Sequence, residues 1–159
     1  MLLIVWHSRT GAARAMAEAA REGAALAGPV RLLRAGEAQA GNLLAAAGYL
    51  FACPENLGTM SGEMKEFFDR CYYPVLGRIE GRPYASLTAA GSDGRGALAQ
   101  LDRIVTGWRL RRVAEPIIAN LSAQTPQEIL AEKTVPAAIL DECRVLGQAL
   151  GEGLALGVF

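Results

Sequence analysis

Short apolar runs alternate along the chain with longer segments whose apolar positions recur at helical spacing. That alternation predicts βαβ units on a parallel sheet. Residues 2–6 form a continuous apolar run, as a strand buried on both faces requires. A polar turn, His7-Ser8-Arg9-Thr10-Gly11, follows, and residues 12–26 read as an alanine-rich helix stopped by Gly28-Pro29. Residues 30–33 predict a second, shorter strand, and 36–47 a brief helix or irregular crossover. The third strand is expected over 49–53, halted by Pro54, with a loop over 55–60. Ser61 then stands where it would cap a helix reaching about residue 72, with Glu63 and Glu66 near its positive end.

A fourth strand is expected over 84–90, followed by a glycine-rich loop at 91–96 and a helix over 97–110. The fifth lies within 112–118, where Pro116 demands an edge position or a late start. Thr125-Pro126 opens a short helix, and Pro136 opens the last one, which reaches residue 156. The expectation is a single α/β domain spanning 1–159, with five strands and about five helices.

Composition narrows this picture mainly by exclusion. With 159 residues and 52% hydrophobic content, the chain can bury an ample core without a disulfide or metal. Sixteen basic and sixteen acidic residues give zero net charge, which argues against nucleic acid and against a polybasic membrane anchor. Three scattered cysteines, a single histidine and no C-x-x-C fit a reduced cytoplasmic protein and argue against a zinc site. Residues 1–6 are too short for a secretory core, and Arg144 and Glu152 break the apolar C-terminal stretch, so no membrane association is expected.

Ligands of open parallel sheets bind beyond the carboxyl ends of the strands. Three unusual loops leave such ends, at 7–13, 54–60 and 91–96. In the first, Ser8, Thr10 and the amides of residues 10–13 gather at a helix start, where the dipole favours a phosphate dianion. Gly11 lets the backbone approach that phosphate closely; a plain hydroxyl cap would account for one of Ser8 and Thr10. The absence of G-x-x-x-x-G-K-[ST] and of G-x-G-x-x-G after the first strand excludes a P-loop and disfavours a dinucleotide fingerprint. The second loop offers several amides that would read the edge of a flat heteroaromatic ring, or simply form an ordinary βα turn around Gly58.

The run His7-Ser8-Arg9-Thr10-Gly11 and the longer run from Pro54 through Gly58-Thr59-Met60-Ser61-Gly62 to Lys65 and Phe68 resemble the two signatures of flavodoxin-like FMN proteins. The resemblance is nearest to NAD(P)H-dependent FMN oxidoreductases, and it departs at Ala13, where the family supplies a hydroxyl. It implies a three-layer sandwich with sheet order 2-1-3-4-5 and FMN as cofactor. Carried over, Ser8, Arg9, Thr10, Gly11, Ala12 and Ala13 would hold the FMN phosphate. Pro54, Glu55, Asn56, Leu57, Gly58, Thr59 and Met60 would line the isoalloxazine, and Gly91, Ser92, Asp93 and Gly94 would close its pyrimidine side. Asp93 would accept from flavin N3–H and Arg95 would offset charge near N1 and O2.

The implied activity passes hydride from NAD(P)H, as co-substrate, through FMN to a small acceptor such as a quinone or free flavin, in a homodimer or tetramer. A flavodoxin-type electron carrier and a cofactor-poor interaction module are the alternatives. Carriers of this family are strongly acidic, and a neutral chain fits an enzyme better. No side chain is assigned as catalytic. His7 is expected to serve structurally, Trp6 and Trp108 as core or interface residues, and Tyr72 and Tyr73 are candidates for a substrate entrance. Cys53 and Cys71 are expected to be inert buried thiols, and the glycines at 147, 151, 153 and 157 to permit close helix packing or a frayed end.

Overall fold

Seven strands and six helices follow one another in the computed structural model, which describes all 159 residues. They are β1 (Leu2–Trp6), α1 (Ala12–Ala25), β2 (Val30–Arg34), α2 (Ala40–Ala45), β3 (Gly48–Asn56) and β4 (Thr59–Met60). Then come α3 (Gly62–Val75), β5 (Pro83–Ala90), α4 (Arg95–Gly107), β6 (Arg111–Arg112), β7 (Ile117–Asn120), α5 (Pro126–Leu130) and α6 (Ala137–Leu156). Strands run in the order β2-β1-β3-β5, with β6 and β7 both parallel to β5 along its outer edge. This is the expected order, with β5 as the fourth strand. The difference is that the fifth strand is split in two and that β4 is added. The split falls ahead of Pro116, which has no N–H to give to a ladder, and the divided strand lies at the sheet edge as that proline requires.

Alternation along the strands sorts the core into two layers. Leu3, Val5, Tyr49 and Phe51 face Met64, Phe67 and Phe68 of α3 and Leu101 of α4. There Trp108 packs edge-on against Phe68, ring centres 5.1 Å apart, as a core residue. Leu2, Ile4, Leu50 and Ala52 face α1 and α6. In that second layer the two helices meet backbone to backbone. A Cβ on Gly147 would lie 1.9 Å from the Ala20 carbonyl oxygen, and one on Gly23 the same distance from that of Arg144. Gly147 and Gly151 therefore serve close packing against α1, whereas Gly157 ends α6 in the left-handed region, and the contact fixes α1 beneath the sheet.

Three expectations need correction. Pro54 does not halt the third strand, which continues to Asn56. Ala52 turns its carbonyl toward β1, to His7 N–H, and the two-residue repeat turns Pro54 the same way. By that point β1 has ended, so the missing N–H of Pro54 costs no ladder bond, and its carbonyl accepts from Ser61 N–H. Ser61 makes no side-chain cap on α3; its hydroxyl bonds His7 instead, as described below. Finally, α3 extends to Val75 and runs back from the carboxyl edge, so Tyr72 stands about 15 Å along the helix from its start. Tyr72 and Tyr73 are thus remote from any entrance there. No helix is long and apolar enough to cross a membrane.

The helix contact yields a first prediction. Gly147→Ala should lower stability in urea unfolding by about 2–3 kcal/mol. Gly28→Ala, which meets open space, should change it by less than about 0.5 kcal/mol.

Candidate functional site

Two helices start at the carboxyl edge in the same unusual way. α1 begins after Gly11 at φ +94° and α4 after Gly94 at φ +92°, both left-handed, and neither receives a side-chain cap from its own N-cap residue. Each start therefore leaves a turn of amides without intrahelical partners. At α4 a carboxylate is already seated on that turn. The Glu55 carboxylate, reaching over from the end of β3, accepts Gly94 N–H at 2.9 Å and Ala97 N–H at 3.1 Å. The hairpin that carries Glu55 is held down beside it by Met60 N–H donating to Gln100 Oε1 at 2.9 Å. Its tip, Leu57 and Gly58, has φ of +52° and +74°, the geometry of a tight two-residue turn, and Leu57 projects 97% exposed into solvent.

At α1 the amides are open. Ser8 Oγ accepts Gly11 N–H at 3.1 Å, which closes the turn, while the amides of Ala12, Ala13 and Arg14 have no acceptor. The Thr10 carbonyl is held by Lys133 N–H at 2.7 Å. The contrast between the two starts is the test of fit. Glu55 demonstrates that a glycine-capped start of this shape seats an oxyanion, and the matching place at α1 presents the same backbone with donors free. The donor set suits a phosphate dianion, as the resemblance implies for FMN.

The remaining predicted residues fall around these two starts. Arg9 lies in the phosphate loop near His7, whose pKa it affects. Pro54, Asn56 and Thr59 belong to the hairpin, not to a free loop, and Asn56 pairs with Thr59 across β3–β4. Glu55 points at α4, so its part is to join the second and third loops. The loop at Gly91, Ser92, Asp93 and Gly94 is shorter than expected, since α4 already begins at Arg95. Asp93 and Arg95 pair with each other at 2.6 Å on the surface.

His7 is buried at the end of β1, with Nδ1 2.7 Å from Ser61 Oγ and Nε2 against the Glu63 carboxylate. Burial holds its pKa below the ordinary histidine value, outweighing the attraction of Glu63, while Arg9 and Arg34 push the same way as burial. Burial also raises the Cys53 thiol to about 12 and that of Cys71 upward, so both are inert. Trp6 is half-buried, with the guanidinium carbons of Arg34 and Arg14 at 5.4 and 5.9 Å from its ring centre. It packs against the rim of the second core layer on one side and carries the two arginines on the other.

Sequence reasoning placed α5 but missed that the segment around it, a strap over residues 120–136, lies against the site loops. It leaves the end of β7, and Asn120 Nδ2 donates to the Ser92 carbonyl at 2.6 Å. Further along, Lys133 reaches Thr10, so one segment touches the first and third loops. α5 within it is fixed by Thr125 and Glu128, whose carboxylate accepts Gln124 and Thr125 N–H, both at 2.9 Å. A cavity of about 410 Å³ lies along the strap, lined by Asn120, Ser122, Glu132 and Lys133 among others. The signal was present, because this segment also leaves a strand's carboxyl end.

A doubly wound sheet with an open, glycine-capped helix start at its carboxyl edge defines an α/β protein equipped for a phosphate-bearing ligand. Residues 36–123, more than half the chain, match the family described as NADPH-dependent FMN reductase, and the chain belongs to that family. It is 29% identical to a flavodoxin of Aquifex aeolicus over 99% of this chain and 88% of that protein. Among solved structures, a flavodoxin from the domain Archaea superposes with a TM-score of 0.78 at 18% identity, covering 96% of this chain and 97% of that one. A WrbA-like flavodoxin from Agrobacterium tumefaciens gives 0.77 at 20% identity, covering 98% and 97%. The fold is the flavodoxin-like three-layer sandwich.

Two predictions follow from the site. Glu55→Ala leaves the Gly94 and Ala97 amides without their acceptor, and should cost about 2 kcal/mol in urea unfolding and speed hydrogen exchange at both amides. For His7, a folded pKa below the unfolded one means that the unfolded chain binds the proton first as pH falls. Its contribution is present above the unfolded value of about 6.5 and is lost as pH drops through the folded value. Stability measured from pH 7.5 to 5 should therefore decline, and His7→Gln should flatten that slope.

Proposed function

We propose that the protein is an NAD(P)H-dependent FMN oxidoreductase that delivers reducing equivalents to a small acceptor such as a quinone or free flavin. The observation that carries this reading is the open oxyanion cradle at the start of α1, set beside two loops locked together by Glu55. Bound FMN supplies the hydride- and electron-accepting ring. The chain's part is to hold and orient it. Amides of residues 12–14, with Thr10 and the turn closed by Ser8, take the phosphate. Backbone of residues 54–60 serves the ring edge, and Gly91, Ser92, Asp93 and Gly94 serve the pyrimidine side, where the Asp93–Arg95 pair offers both an acceptor and a cation. His7 is held by Ser61 and Glu63 and is assigned no proton-transfer role.

A second reading, an electron carrier, is favoured by the name of the Aquifex relative. Zero net charge weighs against it, because carriers use a strong field to steer toward their partners. The reading further includes a cytoplasmic homodimer or tetramer serving small molecules.

The test is spectroscopic. Protein is mixed with FMN, the visible spectrum and flavin fluorescence are recorded, and NADPH or NADH is then added without air. The expected outcome is a perturbed flavin spectrum that bleaches faster than free FMN does. A flavin that binds but resists both nucleotides would leave the carrier standing, and no flavin binding would defeat both readings.

A further inference from the structure

The two helix starts differ in one more respect, namely the carboxylate beside each. At α4, Glu55 is seated on the amides. At α1, the nearby carboxylate is Glu132 of the strap, and it is not seated. A Cβ on Gly11 would stand 3.8 Å from Glu132 Cγ and 3.9 Å from its Oε1, yet Glu132 is exposed and makes no hydrogen bond or ion pair. Its neighbour makes no ion pair with it, because the Lys133 ammonium is folded back onto the carbonyls of Ile129 and Ala131, at 3.0 and 2.5 Å. The strap's main chain is held at this position by Lys133 N–H on the Thr10 carbonyl, which keeps Glu132 next to the phosphate loop.

We infer that Glu132 is a specificity-determining residue of the flavin site, opposing the phosphate dianion so that FMN is held little more tightly than riboflavin. The inference rests on the flavin assignment above. Two like charges separated by a residue's width repel appreciably even beside water, whereas riboflavin, which lacks the phosphate, is indifferent to the carboxylate. Ala12 and Ala13 act in the same direction, since neither offers a hydroxyl to the phosphate. Arg9 and Arg14 act against it, although Arg14 is already paired with Glu18 at 2.7 Å.

The test compares the affinities of the flavin-free protein for FMN and for riboflavin, by fluorescence titration at low and moderate salt. Glu132→Gln keeps the side chain's shape and removes its charge. It should tighten FMN by about three- to tenfold and leave riboflavin within twofold, and added salt should shrink the FMN gain. Glu152→Gln, far along α6 toward the opposite end of the sheet, should alter neither affinity. Unchanged or weaker FMN binding in Glu132→Gln, or equal tightening of both flavins, would overturn the inference while leaving the flavin assignment intact. Failure of the parent protein to bind either flavin would overturn both.

Discussion

A helix that begins at a left-handed glycine offers a turn of amides and no side chain to satisfy them, and the carboxyl edge of this sheet is organised around that need. Two such starts stand there. One is closed internally by Glu55, whose carboxylate spans from β3 to α4 and thereby fixes the hairpin against the third loop. The other is left open, and its position is set from below by the contact of α1 with α6 at Gly23 and Gly147. Were α1 free to slide, the open amides would have no fixed relation to the loops beside them. Backbone packing on one face of the sheet and a charge-assisted bond on its edge together place the cradle.

Local chemistry made much of the fold legible in the sequence. A continuous apolar run marked β1, the Thr125-Pro126 pair marked α5, and the sheet order followed the family resemblance. What failed were inferences in which a neighbour in sequence was assumed to be the partner in space. Pro54 breaks a strand only when its missing N–H is wanted, and here the strand that would have wanted it has already ended. Ser61 has the identity and position of a cap, but a buried histidine fifty-four residues away claims its hydroxyl. Neither competitor is visible from the residues adjoining these positions.

The site was legible to a similar depth. The glycine-capped helix start was marked because its chemistry is contained within a few residues, and even there Ser8 spends its hydroxyl on Gly11 N–H and leaves only backbone donors open. Glu55 was marked with the rest of the second loop, and nothing in the adjoining residues signals that its carboxylate reaches across to α4. The strap's contact with the site loops was overlooked because nothing in its composition distinguishes it from any polar connection. Only topology reveals it, since a segment leaving the last strand at the carboxyl edge must cross back over the same loops to reach α6.

This arrangement separates what is rigid from what adjusts. The donors at α1 belong to a helix locked against α6 by backbone, so they can neither move nor be retuned without disturbing the core. The charge facing them belongs to an exposed strap tied to the loop by a single bond between main-chain groups, Lys133 N–H to the Thr10 carbonyl. Substitution at Glu132 leaves that bond intact, because the bond involves no side chain. Affinity at such a site is thus free to vary through residues of the strap while the cradle stays constant.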